Sequence, residues 1–293
     1  MTKPEWNGTT YGSGAMHRWL IRLLRYSDVR IWYAFSAVFV IPFCLIFSGT
    51  TRYIRDYFRY RHHYGWLKTW WSTYINFCLF GQVVIDRFAL YAGKKFKLHV
   101  NDYQLFDSLA HKAEGFVVLS AHVGCYEMAG YELVADTKPF NALVFAGEKA
   151  SVMTNRARIF KANNLRMIPI SGDMSHLFRL NEALDANEIV SIPGDRALGS
   201  RRTVSVNLLG AKANLPYGPF SVPAMRGLNV LAINVMKTAA RQYTVFVKQL
   251  HYDKTATRQQ QVQQLADGYA AELSRLLMAF PTQWYNYFDF WRQ

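Results

Sequence analysis

Acidic residues, cysteines, glycines and prolines are all scarce in this sequence, and each shortage excludes a class of protein. Asp and Glu number 20 against 34 Lys and Arg, so the formal net charge of the 293 residues is +14. The three cysteines are far apart and form no C-x-x-C pair, which excludes a disulfide framework and a structural zinc site. With 18 glycines and 9 prolines, collagen-like and low-complexity chains are excluded as well.

Several cofactor and nucleophile motifs are missing too. The chain has no G-x-S-x-G elbow, no P-loop and no G-x-G-x-x-G dinucleotide fingerprint. Cys125 is expected to be a buried, inert thiol. We therefore expect an activity that needs neither a metal nor a cofactor.

Aromatic and basic residues dominate what is present. Phe, Trp and Tyr make up 16% of the chain, which excludes disorder and provides ample material for a core. A very basic and aromatic globular protein is typical of one that binds a polyanion or an anionic membrane surface. Composition alone leaves membrane and nucleic acid open.

Residues 1–97 are predicted to be a mobile tail followed by a membrane-associated helical region. From His17 to Ile31, Arg and Leu residues recur on two faces of a helix, a pattern of helices that lie in a membrane interface or, alternatively, pack on a core. Ile31–Ser48 has no charge but is flanked by basic residues on both sides, so the positive-inside bias indicates no orientation. An in-plane anchor or hairpin is favoured over a single span.

Residues 98–293 are predicted to form an α/β domain, because short apolar runs alternate with helical patterns. The fold class is α/β, with a mixed, mostly parallel central sheet flanked by helices. The predicted strands are Phe116–Ser120, Ala142–Ala146, Leu165–Ile170, Glu188–Ile192, Thr203–Leu209, Asn229–Met236 and Gln242–Leu250. The predicted helices are Glu127–Val134, Ser151–Asn163, Met174–Ala186, Tyr217–Arg226 and Thr257–Ala279.

His122 follows the first buried strand, and Glu127 lies five residues later in the predicted first helical turn. A turn through Gly124 would bring the carboxylate back to the imidazole, fixing its tautomer and leaving the other nitrogen as a general base. This pair suits deprotonation of a hydroxyl group. The alternative is a structural hydrogen bond between the two side chains without a catalytic role.

A second candidate region follows the strand Glu188–Ile192. Asp195, Arg196, Arg201 and Arg202 lie in a loop bounded by glycines, and guanidinium groups match the geometry of phosphate. The loop is therefore a candidate anion site. The alternative is a solvated surface loop.

The segment from Leu119 to Glu127 resembles the signature of the lysophospholipid-acyltransferase superfamily, which is His, four residues, then an acid. More narrowly, the chain is similar to the bacterial late acyltransferases of lipid A biosynthesis from about residue 20 onward. The resemblance implies that His122 is the general base and that Glu127 orients it. It also implies functional positions at Asn155, Arg166 and Asp195, with Arg166 meeting phosphate or the oxyanion.

The resemblance further implies an acyl thioester on acyl carrier protein or coenzyme A as donor, and a lipid as acceptor. The expected location is the cytoplasmic face of a bacterial inner membrane, with an anionic membrane and no nucleic acid as partner. Gly124-Cys125-Tyr126-Glu127 replaces the usual Gly-Asn-Trp-Glu, and Asp195-Arg196 replaces Asp-Gln. The C-terminal Trp284–Trp291 stretch is more similar to relatives found with aryl-polyene or flexirubin-type pigment lipids.

Two other functions remain open at this stage. One is a non-catalytic basic protein that binds a membrane surface or nucleic acid, which would not need His122 and Glu127. The other is a thioesterase-like hydrolase that uses the same pair with water as the acceptor.

Overall fold

A seven-stranded sheet lies at the centre of the computed structural model, which describes residues 13–133, 137–145, 147, 152–157, 164–170, 175–197 and 200–292. The strands of this sheet are β1 (Lys97–Asn101), β2 (Phe116–Ser120), β3 (Phe140–Phe145), β4 (Leu165–Ile170), β5 (Ile189–Pro193), β8 (Asn229–Ala239) and β9 (Gln242–Leu250). Two further strands, β6 (Thr203–Leu208) and β7 (Ala211–Pro216), form a separate antiparallel hairpin.

The strand order in the large sheet is β1-β9-β8-β2-β5-β3-β4. Only β8 and β9 pair in antiparallel fashion, and the other neighbours are parallel. Parallel strands covered on both faces are buried throughout, and Phe116 to Leu119 of β2 are all buried. The predicted α/β class, with a mostly parallel sheet flanked by helices, is confirmed.

Helices precede and cover the sheet. They are α1 (Gly14–Tyr26), α2 (Val29–Phe35), α3 (Ile41–Phe47), α4 (Thr51–Asp56), α5 (Trp66–Tyr91), α6 (Tyr103–Ala110), α7 (Ala129–Glu132), α8 (152–157), α9 (Ser175–Asp185), α10 (Gly218–Arg226) and α11 (Arg258–Ala279). Short π-helical turns follow α2 and α4, and 3-10 turns occupy Tyr126–Met128, Pro281–Gln283 and Phe290–Arg292.

Some predicted boundaries shift for identifiable reasons. The predicted helix from His17 to Ile31 is interrupted, because the Ser27 backbone N–H closes α1 on Leu23 and the Asp28 side chain caps α2 through the Arg30 backbone N–H. The predicted helix Glu127–Val134 begins as a 3-10 turn. Of the predicted helix Ser151–Asn163, residues 152–157 are helical and the rest lies outside the described residues.

Three elements were not predicted from the sequence. They are β1, α6 and β7. Each is short, and β1 and β7 carry polar residues among their apolar ones, so the local pattern is weak.

Helix α5 joins the N-terminal helices to the sheet. Phe77, Cys78 and Val83 belong to the same hydrophobic core as the central strands. Phe88 and Ala89 belong to a second cluster with Leu24 of α1 and other residues of the N-terminal helices. The proposed division of the chain near residue 97 stays a prediction.

Most of the uncharged stretch lies in the helical segment Val29–Phe47, which is long and apolar enough to cross a membrane. One side of it packs on α5, where Ile41 is buried. Its other side exposes large apolar side chains, which are Ile31, Phe35, Val38, Phe39, Phe43, Ile46 and Phe47. A contiguous apolar surface of this kind marks a surface that contacts a partner or a membrane.

Candidate active site

His122 and Asp195 lie at equivalent positions beyond two neighbouring parallel strands. Ser120 of β2 is paired with Pro193 of β5, and each of the two functional residues follows its strand end by two positions. The Gly194 backbone N–H donates to the Ser120 carbonyl at 2.9 Å, which holds the ends of β2 and β5 together. Sites in parallel sheets form at such carboxyl ends.

Asp195 holds His122 through both carboxylate oxygens. Oδ1 is 2.7 Å from the imidazole Nδ1, and Oδ2 accepts the His122 backbone N–H at 3.0 Å. Asp195 is fully buried, while the His122 side chain is 26% exposed. With Nδ1 engaged as the donor, Nε2 is left as the basic nitrogen, and no described residue occupies it.

Burial opposes ionisation of Asp195, yet its pKa falls to about 2 because the His122 imidazole and the two hydrogen bonds favour the carboxylate. A carboxylate that stays ionised stabilises the imidazolium that forms when Nε2 takes a proton. This is the arrangement of a general base with an orienting acid.

Within the described part of the chain, Glu127 forms no hydrogen bond or ion pair with His122, which corrects the predicted pairing. Its Oε1 accepts hydrogen bonds from Arg87, at 3.1 Å, and from Arg156, and its Oε2 accepts one from the Tyr91 hydroxyl at 3.3 Å. The 3-10 turn Tyr126–Met128 directs Glu127 into the interior, whereas His122 stays at the strand end. Asp195 takes the orienting position that the five-residue spacing had assigned to Glu127.

The Glu127 cluster is buried and brings the guanidinium groups of Arg87 and Arg156 against one carboxylate. Burial raises the pKa of Glu127, but the guanidinium groups of Arg156 and Arg87 outweigh it and lower the pKa below its ordinary value. Both ion pairs hold Glu127 in its charged form. Removing one partner from such a buried group typically costs about 3–5 kcal/mol.

Gly124 allows the loop after His122 to lie directly on β8. Its φ is +48°, and a Cβ at this position would lie 1.8 Å from the Val235 carbonyl oxygen. The next residue, Cys125, donates its backbone N–H to the same carbonyl at 2.9 Å. The Cys125 side chain is buried, which raises the pKa of its thiol to about 12 and agrees with an inert role.

The segment after α11 completes the support of this loop. The Gly124 backbone N–H donates to the Gln283 carbonyl at 2.8 Å, and the Tyr285 N–H donates to the His122 carbonyl at 3.2 Å. Asn76 of α5 in turn donates to the carbonyls of Thr282 and Trp284. The loop that carries His122 is therefore held between β8, α5 and the C-terminal segment.

Arg196 lies beside this segment. Its Nε donates to Asn286 Oδ1 and its Nη2 to the Tyr285 carbonyl, both at 3.1 Å. Arg201 is exposed, and Arg202 places its guanidinium 4.2 Å from the centre of the Tyr217 ring. Of the three arginines of this loop, Arg196 is thus the one tied to the His122 support.

Arg166 is not near His122, which corrects the role implied by the resemblance. It is the second residue of β4 and its guanidinium pairs with Glu188, just before β5, at 2.9 Å. These are the amino ends of the strands, whereas His122 follows a carboxyl end. A five-residue strand separates the two ends by about 16 Å. With 61% of its side chain exposed, Arg166 is a surface residue at the opposite edge.

Asn155 lies in α8, next to Arg156, and is half-buried. Its predicted substrate-binding role stays a prediction. Arg87 and Arg156 were missed by the sequence reasoning. A signal existed for Arg87, because Asp86 and Arg87 are two of only three charged residues in the 26-residue helix α5, and a charge in an apolar helix needs a partner.

No group of three or more His, Cys, Asp or Glu side chains within the described part of the chain is arranged to hold a metal ion. All three cysteines are free thiols.

The part of the chain that contains this site matches a known protein family. The profile of the bacterial lipid A biosynthesis acyltransferase family matches residues 91–293, more than half of the chain. The protein belongs to this family. It is therefore an acyltransferase that acts in lipid metabolism.

One matching solved structure is the 1-acyl-sn-glycerophosphate (LPA) acyltransferase PlsC from Thermotoga maritima. It is 12% identical to this acyltransferase with a TM-score of 0.36, over 92% of this chain and 100% of that chain. No curated protein matches the sequence significantly.

Replacing Gly124 by Ala is expected to lower the free energy of unfolding by more than about 3 kcal/mol, because it adds a backbone clash to a left-handed φ. Gly210→Ala has a φ of +76° but open space, and should cost only about 1 kcal/mol. Thermal unfolding of both variants measures the difference. Equal losses in the two variants would contradict the close approach of Gly124 to β8.

The low pKa of Asp195 predicts a pH-dependent stability. Since the folded pKa lies below the unfolded value of about 3.9, the contribution is complete above about pH 5 and is lost as the pH falls through about 2. Its size is about 2 kcal/mol. Denaturant unfolding across this range should show the loss in the wild type and not in Asp195→Asn. The exposed Asp102→Asn serves as the control and should keep the wild-type dependence.

Proposed function

We propose that this protein transfers a fatty acyl chain from an acyl thioester to a hydroxyl group of a lipid at the cytoplasmic face of a bacterial inner membrane. The observation that carries the proposal is the geometry of the His122 imidazole. Asp195 holds its Nδ1, and none of the described residues forms a hydrogen bond with its Nε2. The acceptor lipid is lipid A-like or a related glycolipid or polyene lipid.

The reaction follows from the chemistry of this pair. Nε2 removes the proton of the acceptor hydroxyl while the oxygen attacks the thioester carbonyl carbon. The ester C–O bond forms, the C–S bond breaks, and the leaving sulfur takes the proton from the imidazolium. Asp195 stays ionised throughout and stabilises the imidazolium. No acyl-enzyme intermediate is needed in this direct transfer.

Charge favours an anionic thioester donor. The formal net charge of the chain is +14. Acyl carrier protein and coenzyme A both present the thioester on a phosphopantetheine arm, and acyl carrier proteins are acidic. Arg196 and Arg201 are the proposed further contacts for an anionic substrate.

The apolar helix Val29–Phe47 is proposed to lie in the membrane surface rather than across it. It packs along α5, with the Tyr74 hydroxyl donating to the Ala37 carbonyl at 3.1 Å. The same α5 contacts Glu127 through Arg87 and the C-terminal segment through Asn76. A helix docked on this part of the protein can bury its outer apolar side in lipid while the active site stays at the interface.

Exposed tryptophans and arginines extend this surface. Trp66 and Trp71 at the start of α5 are strongly exposed, and the guanidinium of Arg55 lies 4.9 Å from the centre of the Trp70 ring. Aromatic side chains next to basic ones are favoured at the headgroup level of a membrane.

The transfer reaction is tested with the full-length protein in lipid vesicles, using acyl carrier protein or coenzyme A thioesters and mass spectrometry of the lipid product. His122→Ala should lower kcat by about a hundredfold to ten-thousandfold, since the general base is lost. Asp195→Asn should also lower kcat strongly, because the carboxylate that orients the imidazole is lost. His251→Ala, at an exposed position after β9, is the matched control.

Unchanged transfer by His122→Ala would exclude this mechanism. Release of free fatty acid at the same rate with and without a lipid acceptor would identify a thioesterase instead. In cells, deletion of the gene should yield a lipid species that lacks one acyl chain.

Membrane binding is tested by sedimentation with anionic vesicles. Phe43→Asp, on the exposed apolar side of α3, should weaken binding by about tenfold or more, because a charge enters the lipid-facing surface. Phe178→Asp in α9 is the matched control, since the two phenylalanines are 61% and 71% exposed. High salt should remove only part of the binding. Equal binding by the two variants would contradict the anchor.

A further inference from the structure

A second buried ionic cluster lies behind the active-site loop and includes a residue of the N-terminal helix. Asp86 of α5 accepts hydrogen bonds from the Lys237 ammonium group of β8, from the Tyr243 hydroxyl of β9 and from the Tyr33 hydroxyl of α2. Lys237 also donates to Tyr33 Oη at 3.1 Å. All four residues are buried.

Such a cluster is costly to bury, so its parts must stay together. A buried ion pair loses hydration on both groups and is maintained only when geometry and additional hydrogen bonds are good. Here the two tyrosine hydroxyls supply those bonds. Because one of them comes from α2, undocking of the apolar N-terminal helix leaves the buried carboxylate with one donor fewer.

Lys237 is also joined to the loop that carries His122. Its backbone N–H donates to Gln283 Oε1 and its carbonyl accepts from Gln283 Nε2, both at 2.8 Å. The Gln283 carbonyl accepts the Gly124 backbone N–H at 2.8 Å, and Val235, two residues before Lys237, accepts the Cys125 N–H at 2.9 Å. A displacement of Lys237 is therefore expected to disturb the hydrogen bonds of the Gly124 and Cys125 amides, in the loop that carries His122.

We propose that Tyr33, Asp86 and Lys237 are positioning residues, through which docking of the apolar N-terminal helix holds the His122 loop in its working geometry. The coupling is mechanical and electrostatic, and the side chains of all three residues are buried. Its kinetic consequence rests on the acyl transfer proposed above, whereas its structural consequence does not. Membrane binding at the outer side of the helix would then support the same geometry that catalysis needs.

The test compares Tyr33→Phe with Tyr252→Phe in the full-length protein in vesicles. Both changes remove one hydroxyl, but the Tyr252 hydroxyl bonds only backbone carbonyls at α10 and the turn after it. Hydrogen exchange of the Gly124 and Cys125 amides is measured by mass spectrometry below the melting temperature. Tyr33→Phe should exchange these amides about tenfold faster, and Tyr252→Phe should match the wild type.

The kinetic arm uses the same two variants. Tyr33→Phe should lower kcat about tenfold with an unchanged KM for the thioester, since misplacement of a catalytic group by a fraction of an ångström affects the chemical step. A lower melting temperature with wild-type exchange and kcat would show that Tyr33 serves stability alone and would overturn the proposal. If the wild type transfers no acyl chain, the proposed function fails, while the exchange measurement still decides the coupling.

A double variant tests the ion pair itself. Asp86→Asn with Lys237→Met removes both charges together, so no unpaired charge is left buried and the fold is retained. Faster exchange at Gly124 and Cys125 with a lower kcat is the expected result. Wild-type values for both would exclude a positioning role for the pair.

Discussion

The parallel register between β2 and β5 is the constraint on which the site depends. Ser120 of β2 lies opposite Pro193 of β5, and His122 and Asp195 each follow two positions later. The distance from His122 Nδ1 to Asp195 Oδ1 is 2.7 Å, and the buried Asp195 carboxylate is ionised next to the imidazole. Groups from other elements also hold the end of β2 in place. The Tyr269 hydroxyl and the Gly194 N–H both donate to the Ser120 carbonyl, and Asn234 accepts the Ala121 N–H. A one-residue slip between the strands would separate base and acid.

Two consecutive residues of helix α5 take part in two different buried ionic clusters. Asp86 forms an ion pair with the Lys237 ammonium group, and Arg87 forms one with Glu127. Neighbours in a helix project about 100° apart, so one turn can serve two sites. The apolar segment Val29–Phe47 also packs against α5. Some of the basic residues, namely Arg87, Arg156 and Lys237, thus pair with buried acids in the interior. The exposed arginines and lysines are the ones that favour anionic partners.

The fold class and the position of His122 could be predicted from the sequence, because both depend on local patterns. The run Phe116–Ser120 marks a buried strand, and a polar residue after it lies at a carboxyl end. The partner of His122 could not be predicted in this way. Five-residue spacing favoured Glu127, whereas the true neighbour, Asp195, lies 73 positions away and becomes adjacent only through the strand order. Arg166 was misplaced for the same reason, since a motif match does not say which end of a strand a residue occupies.

The support of the His122 loop by Gln283 and Tyr285 has a consequence for synthesis of the chain. The β-strands and their core can begin to pack once β9 has left the ribosome, but the loop lacks two of its backbone partners until the residues after α11 emerge. The loop that carries His122 therefore gains its full set of backbone hydrogen bonds only after the strands of the sheet have been synthesised.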